Sequence, residues 1–251
     1  MTVLEYLLER LAAHRLHMTL LDPEKQSPDS ASHIAAEATE AGTDAIMVGG
    51  STGVSQEILD STVKSIKGST ELPVILFPTS SNALSPHADA IYFMSLLNSS
   101  NLKYVIREHR KGAIIIKKLG LEPIAMGYVV VAPGMKVGEV GQAEAIPREN
   151  VEETVGYALS AQYLGMKLVY LEAGSGAPLC VPPEMVSAVK STVEIPLIVG
   201  GGIRDADTAR ELARSGADVI VTGTLVENVT DVRGVLTEII SAVRSIPRTS
   251  D

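Results

Sequence analysis

Glu172 is the side chain best suited to chemistry, and it lies in the segment Tyr170-Leu171-Glu172-Ala173-Gly174-Ser175-Gly176. Side chains alternate along a strand, so Tyr170 and Glu172 share one face. A carboxylate followed by Gly-Ser-Gly suits a general base beside a bound phosphate ester, with Tyr170 and the Ser175 region orienting the substrate. The alternative is that Glu172 caps a helix or pairs with an arginine such as Arg204. The pattern favours catalysis.

Two glycine-rich segments follow the last two predicted strands. They are Gly200-Gly201-Gly202-Ile203, which leads into a helix, and Gly223-Thr224, which opens the next segment. Glycines let the backbone approach an anion, and free N–H groups at a helix start point towards it. A pair of such loops after the last strands of a barrel favours a phosphate site over ordinary turn glycines.

Two oxygen-bearing side chains follow the first two predicted strands. Asp22 stands at the end of the first, and Ser51 follows the second. Hard oxygen ligands suit Mg²⁺, which keeps several waters and binds substrate phosphates. As a bare pattern Asp22-Pro23 is more often a turn, so the metal site and the turn both stay open as interpretations.

The elements that must position these residues alternate regularly. Short β-branched or aliphatic runs are separated by longer segments of helical spacing, which indicates parallel strands joined by helices. A (β/α)8 barrel of the TIM type, a single domain over residues 1–251, accommodates eight such runs. A helix at residues 3–13 is expected to close its bottom. We place the strands at 17–21, 45–48, 74–77, 90–94, 124–131, 168–171, 197–199 and 219–222.

One connection interrupts this alternation. Residues 78–89 read PTSSNALSPHAD, which is too short and too rich in Pro, Ser and Asn to hold a helix with loops at both ends. The barrel is therefore predicted to lack its third outer helix, which would expose a strip of apolar wall. The alternative is a merely irregular loop.

Composition excludes several classes of protein. The 30 acidic and 21 basic residues give a net charge of −9, which argues against nucleic-acid binding. Cys180 is the single cysteine, so neither an internal disulfide nor a cysteine metal site is expected. No apolar run of membrane-spanning length and no leader is visible, which predicts a soluble, cytoplasmic protein without a membrane anchor. Lys117, Lys118 and Lys167 are poorly placed for a Schiff base.

Six sequence motifs occur in order along the chain: LLDPEK, VGGSTGVS, YFMSLLNS, YLEAGSGAP, VGGGIR and VTGTLVE. Together they resemble the geranylgeranylglyceryl phosphate synthase family over nearly the whole chain, from Met18 to Glu227. The likeness is to the archaeal branch of the family rather than to the bacterial heptaprenyl branch. Enzymes of this family are barrels that lack the third outer helix, in agreement with the gap at 78–89.

The resemblance implies Mg²⁺-dependent transfer of a geranylgeranyl group from geranylgeranyl diphosphate to the 3-hydroxyl of sn-glycerol 1-phosphate. This reaction forms the first ether bond of archaeal membrane lipids. It implies Asp22 and Ser51 as metal ligands and Glu172 as the base. Contacts to glycerol phosphate are implied for Tyr170, Leu171, Glu172, Ala173, Gly174, Ser175, Gly176, Gly201, Gly202, Gly223 and Thr224.

The resemblance also carries expectations about the lipid substrate and assembly. An apolar strip of five side chains would face the prenyl tail, or else form ordinary core: Tyr92, Phe93, Met94, Leu96 and Tyr128. Leu20 stands where some relatives carry a lysine. A homo-oligomer, either a dimer or a ring of dimers, and transient contact with lipid are expected. Two alternatives stay open: another phosphate-binding barrel isomerase or synthase, and a non-catalytic isoprenoid carrier.

Overall fold

Eight parallel strands close into a barrel in chain order, and the last strand pairs with the first. The computed structural model describes residues 1–49, 54–227 and 229–247. The predicted barrel is confirmed, with strand ends displaced by up to two residues. The strands are β1 (Leu16–Leu21), β2 (Ala45–Gly49), β3 (Val74–Phe77), β4 (Ala90–Leu96), β5 (Glu122–Val130), β6 (Leu168–Glu172), β7 (Leu197–Gly200) and β8 (Val219–Thr222).

Helices surround the barrel, and two of them begin at side chains that cap the helix. The Ser27 side chain accepts from the Ser30 N–H at the start of one helix, and Asp205 accepts from the Thr208 N–H at another. A π-helical turn, Lys103–Arg107, leads directly into α4. The helices are α1 (Val3–Ala13), α2 (Pro28–Ala41), α3 (Gln56–Lys67), α4 (Glu108–Leu119), α5 (Met135–Gly141), α6 (Val151–Tyr163), α7 (Pro183–Lys190), α8 (Ala206–Arg214), α9 (Thr224–Glu227) and α10 (Val232–Arg244).

Helix α1 closes the amino-terminal end of the barrel, as predicted. Leu7 and Leu11 of α1 are buried in the same apolar cluster as Met18 of β1. The Glu122 carboxylate, at the start of β5, accepts from the Leu4 N–H at 3.0 Å and so satisfies a free donor at the start of α1. The opposite end of the barrel, where the strands finish, is left for the site.

The third outer helix is absent, as the sequence predicts. Residues 78–89 connect β3 to β4 without a helix. Instead, the Glu108 carboxylate of α4 accepts from the backbone N–H of Ser81 at 2.9 Å and from its hydroxyl at 2.6 Å. Burial raises the pKa of Glu108, but hydrogen bonds from Lys111 and Ser81 outweigh that effect and hold the pKa at about 2. This loop and α4 therefore bound an opening on the flank of the barrel.

Aromatic rings fill the upper part of the barrel interior. The Tyr128 and Tyr170 rings meet edge to face at 5.1 Å, and Phe77 stacks on Tyr170 at 5.7 Å. Tyr92 belongs to the same inner cluster, and its ring meets Phe77 edge to face at 6.1 Å. These rings lie directly beneath the catalytic candidate and replace the aliphatic layers found lower in the barrel.

Candidate active site

Glu172 is the last residue of β6, and both of its carboxylate oxygens accept hydrogen bonds. The Gly174 N–H donates to Oε1 at 2.6 Å, and the Tyr128 hydroxyl donates to Oε2 at 3.2 Å. Glu172 is 6% exposed and lines two cavities. It neither caps a helix nor pairs with Arg204, whose guanidinium instead donates to the carbonyl of Ala177. The structural alternatives considered for Glu172 are therefore wrong.

The environment of Glu172 makes it a stronger base than an exposed glutamate. Burial raises the pKa of its carboxyl, and the hydrogen bonds from Gly174, Tyr170 and Tyr128 oppose that shift only in part. Burial and the neighbouring carboxylate raise the pKa values of Tyr128 and Tyr170 well above the usual tyrosine range. Both phenols therefore stay protonated and donate to Glu172. A buried carboxylate held in one orientation can accept a proton from a substrate hydroxyl.

A cavity of about 230 Å³ lies at the ends of β6, β7 and β8. The hydroxyls of Ser175 and Thr224 bridge its rim at 2.8 Å. The glycine-rich backbone after β7 and the segment that opens with Gly223 and Thr224 bring main-chain atoms close to the cavity, as an anion site requires. Residues from both predicted phosphate loops line this cavity, which is bounded by Leu20, Tyr170, Glu172, Ser175, Gly176, Gly201, Gly202, Ile203, Arg204, Val221, Thr222, Gly223, Thr224, Leu225 and Val229.

The two glycines after β7 are required by local geometry. Gly201 has φ +83° and Gly202 has φ +72°, a region that favours glycine. A Cβ at Gly201 would overlap the Glu172 carboxylate, and a Cβ at Gly202 would overlap the backbone of Leu179. The loop can therefore approach the base and the cavity closely only because it lacks side chains.

Not every residue of the predicted binding segment faces the site. Leu171 and Ala173 are fully buried in the cluster between the strands and the outer helices, and their side chains line neither cavity. Gly174 acts through its N–H on Glu172 rather than as part of the lining. Strand alternation explains the division, because Tyr170 and Glu172 occupy the inward positions.

A second cavity, of about 380 Å³, extends from Glu172 to the flank of the barrel. Tyr92 on its wall belongs to the inward cluster, whereas Ile91 and Ile116 belong to the outer one. The cavity therefore passes from the barrel interior to the gap left by the missing helix. All five residues of the predicted apolar strip line it: Tyr92, Phe93, Met94, Leu96 and Tyr128.

The two cavities meet at a small set of residues. Glu172, Ser175 and Thr224 line both, together with Leu20 and Gly223. The aliphatic side chain of Leu20 thus stands between the polar and the apolar compartments. A substrate in one cavity would be adjacent to a substrate in the other, with Glu172 at the junction.

Charged side chains surround the mouth of the larger cavity. The Lys25 ammonium pairs with Glu227 at 2.9 Å and the Lys136 ammonium lies 3.9 Å from Glu24. Asp22, the first residue after β1, also lines this cavity, and its Oδ1 accepts from the Glu24 N–H at 3.0 Å. Its backbone carbonyl accepts from Lys25, so Asp22-Pro23 is also a turn.

The described side chains do not by themselves form a complete metal site, so substrate oxygens would have to complete the coordination. Among the described residues, no group of three or more His, Cys, Asp or Glu side chains could hold a metal. Ser51, the second predicted ligand, lies outside the described residues. A carboxylate such as Asp22 fits Mg²⁺ that keeps waters and completes its shell with substrate phosphates.

A protein-family model matches the sequence of most of the chain. The model described as the PcrB family matches residues 9–243. This chain belongs to the PcrB family. The resemblance read from the sequence motifs is thereby confirmed. Among its relatives, the geranylgeranylglyceryl phosphate synthase of Thermoplasma volcanium is 51% identical over 246 residues and covers 98% of both chains. That of Pyrococcus horikoshii is 54% identical over 223 residues, which is 89% of this chain and 88% of the relative.

Solved structures agree with the PcrB assignment. A crystal structure of (S)-3-O-geranylgeranylglyceryl phosphate synthase from Thermoplasma acidophilum, in complex with sn-glycerol-1-phosphate, matches with a TM-score of 0.96 and 48% identity. The match covers 98% of this chain and 100% of that one. Thiamine phosphate pyrophosphorylase from Pyrococcus furiosus matches with a TM-score of 0.59 and 16% identity, a likeness of fold alone.

Several residues that line this PcrB site were not among those predicted from the sequence. Tyr104, Glu108 and His109 line the larger cavity, and the His109 ring meets Phe93 edge to face at 4.5 Å. Lys25 and Lys136 also line its mouth. Nothing in their spacing indicates a common site, because Lys25 follows β1, Lys136 follows β5 and the other three residues follow β4. None of the described helices is long and apolar enough to cross a membrane.

Proposed function

We propose that this protein transfers a geranylgeranyl group from geranylgeranyl diphosphate to the 3-hydroxyl of sn-glycerol 1-phosphate, releasing diphosphate. This is the reaction denoted by the names of its close relatives. The observation that carries the proposal is the junction of two unlike cavities at Glu172. One compartment suits a phosphate ester, the other suits a long apolar chain, and a buried base stands between them.

Glycerol phosphate is assigned to the smaller cavity. Its phosphate would accept hydrogen bonds from the glycine-rich backbone after β7, with the Ser175 and Thr224 hydroxyls at the rim. Its free hydroxyl would then point towards Glu172. The relative from Thermoplasma acidophilum, described with sn-glycerol-1-phosphate bound, supports glycerol phosphate as a ligand of this protein.

The prenyl donor is assigned to the larger cavity. Its tail would run along the inward side of β4 to the flank opening, and its diphosphate would lie at the mouth near Lys25 and Lys136. The two lysines would exchange their present carboxylate partners for phosphate oxygens. The largely apolar lining of the cavity suits a prenyl chain better than a small sugar phosphate.

Glu172 would remove the proton from the attacking hydroxyl. The C–O bond to the allylic carbon forms while the bond to diphosphate breaks, so the proton passes to Glu172 and the electron pair leaves with diphosphate. Tyr128 and Gly174 hold the carboxylate still while this happens, which lowers the reorganisation needed. The aromatic floor excludes water, which would otherwise hydrolyse the donor.

Mg²⁺ belongs to the proposal as a cofactor. Asp22 would hold it, with Ser51 as the second predicted ligand, and the ion would supply charge stabilisation for the leaving diphosphate. The mouth carries Asp22, Glu24 and Glu227 against two lysines, so a donor with several negative charges needs a further cation there. Chelation should abolish transfer and Mg²⁺ should restore it. Asp22→Asn should raise the Mg²⁺ concentration needed for half-maximal rate.

A radiolabel transfer assay tests the proposed reaction. Purified protein is incubated with Mg²⁺, labelled glycerol 1-phosphate and prenyl diphosphates of graded length, with glycerol 3-phosphate as the control acceptor. Lipid-soluble product that favours the twenty-carbon donor and the 1-phosphate supports the proposal. Absence of product with every donor, from folded protein that binds glycerol phosphate, overturns it in favour of a phosphate-barrel isomerase or synthase or an isoprenoid carrier. Homo-oligomeric assembly and cytoplasmic location stay predictions, the first testable by sedimentation.

A further inference from the structure

One helical face combines exposed aliphatic and basic side chains. It belongs to the segment 102–119, which comprises the π-helical turn and α4. Four large apolar side chains of this segment are exposed: Leu102 at 55%, Ile106 at 56%, Ile114 at 65% and Ile115 at 42%. Exposed aliphatic side chains clustered on one helix indicate an interaction surface, whereas scattered ones need no explanation.

The charge of the same face is opposite to that of the chain. Segment 102–119 carries six basic residues against the single acid Glu108, in a protein whose net charge is −9. All six are exposed: Lys103, Arg107, Arg110, Lys111, Lys117 and Lys118. Among the described residues, only Lys111 of these six forms an ion pair, with Glu108. Most of the positive charge is therefore available to an external partner.

The opposite face of this segment lines the larger cavity. Tyr104, His109, Gly112 and Ile116 all contribute to its wall. The basic and aliphatic side chains point away from the wall, into solvent. A partner on the outer face would thus lie beside the flank opening of the cavity.

We propose that this outer face of 102–119 docks on the surface of an anionic lipid membrane. A helix that lies in a membrane interface presents basic side chains to lipid headgroups and aliphatic ones to the acyl boundary, and this face carries both. The basic segment complements a negative surface, and the adjoining cavity opens towards it. This docking proposal rests on the proposed function, because docking would place the opening of the larger cavity at the membrane, where a prenyl donor resides.

Vesicle co-sedimentation tests the docking without any substrate. The protein should bind vesicles of equal parts phosphatidylcholine and phosphatidylglycerol, should release in high salt, and should not bind pure phosphatidylcholine. Lys117→Gln/Lys118→Gln should weaken binding roughly 30-fold, given about 1 kcal/mol for each basic residue near an anionic surface. Ile106→Ser/Ile114→Ser should also weaken binding, through loss of the apolar contact.

Matched controls come from other exposed positions of the chain. Lys64→Gln/Lys167→Gln removes two exposed basic residues that lie outside this face, and Tyr163→Ser/Leu164→Ser removes two exposed apolar side chains at 78% and 71% exposure. Both control variants should bind vesicles as the unmodified protein does. Circular dichroism and thermal melting of each variant exclude loss of fold as the cause.

Two results would overturn the docking proposal. One is equal binding by the α4 variants and their controls. The other is absence of vesicle binding together with a lower sedimentation coefficient for the α4 variants, which would assign the face to contact between copies of this chain. Transfer from a detergent-dispersed donor is measured separately, so failure of docking and failure of the proposed reaction are distinguishable.

Discussion

The Tyr128 hydroxyl donates to Glu172 Oε2 at 3.2 Å, from a position one strand away on β5. The register pairs Tyr128 with Tyr170 and Val130 with Glu172, so the phenol reaches the carboxylate diagonally. With the Gly174 N–H on Oε1, both oxygens are held and the carboxylate cannot rotate freely. The orientation of the carboxylate therefore comes from two neighbouring strands acting together, whereas its raised pKa comes from burial.

Glu172→Gln should abolish transfer while leaving glycerol phosphate binding within a few-fold. The amide keeps the shape of the side chain but cannot take the proton, which removes a factor on the order of a hundred to ten thousand in kcat. Steady-state rates and calorimetric titration with glycerol 1-phosphate check the two parts. Turnover near that of the unmodified protein would show that another group is the base.

The pH profile should reveal the raised pKa of Glu172 and its dependence on Tyr128. The base acts only when deprotonated, so kcat/KM should fall as pH drops through the raised pKa. Tyr128→Phe removes a donor that favours the charged carboxylate, so the acid limb should move to higher pH. Tyr92→Phe is the matched control, because its buried hydroxyl donates to Met18 instead, and it should leave the limb in place.

Gly201→Ala should damage both stability and binding. The positive φ of +83° and the overlap with Glu172 predict a loss of about 1–3 kcal/mol in unfolding free energy, along with weaker glycerol phosphate binding. Gly156→Ala is the control, because Gly156 lies in α6 with nothing within 4 Å of an added Cβ. That variant should gain about 0.5–1 kcal/mol in urea unfolding. Unchanged binding in Gly201→Ala would remove this loop from the phosphate site.

Gly112→Leu should shorten the prenyl chain that the protein accepts. Gly112 lies within α4 on the cavity wall, where a Cβ would find Ser81 Cβ at 3.6 Å and Ile116 Cδ1 at 3.7 Å. Alanine therefore fits and serves as the control, whereas the remaining carbons of leucine must enter the cavity. We expect KM for the twenty-carbon donor to rise roughly tenfold, with a smaller change for a ten-carbon donor. An equal change for both donors would place the tail elsewhere.

His17 should make folding stability depend on pH in a defined window. Burial lowers the pKa of His17 to about 4, and its ring nitrogens contact the hydroxyls of Thr43 and Thr222 at 3.0 and 2.9 Å. The unfolded chain takes up the proton first as pH falls, so this stability is complete above about pH 6.5 and is lost towards pH 4. The loss is on the order of 3 kcal/mol. His17→Gln should flatten this dependence in urea unfolding; an unchanged slope would contradict it.

Local signals in the sequence determined much of the fold. The order of strands follows from alternating apolar runs, and the missing helix follows from the Pro, Ser and Asn content of 78–89. Helix starts at Ser27 and Asp205 follow from capping chemistry. The inward face shared by Tyr170 and Glu172 follows from strand alternation. Each of these signals lies within a few residues, so sequence alone suffices to read it.

Barrel closure and strand register decided the rest. Tyr128 and Glu172 are 44 residues apart, and Lys25 and Glu227 are 202 apart, yet each pair is in contact. Closure also placed His109 on the wall of a cavity that no spacing indicates. Contacts between distant elements depend on how all eight strands pack together, which is a property of the whole chain rather than of any segment.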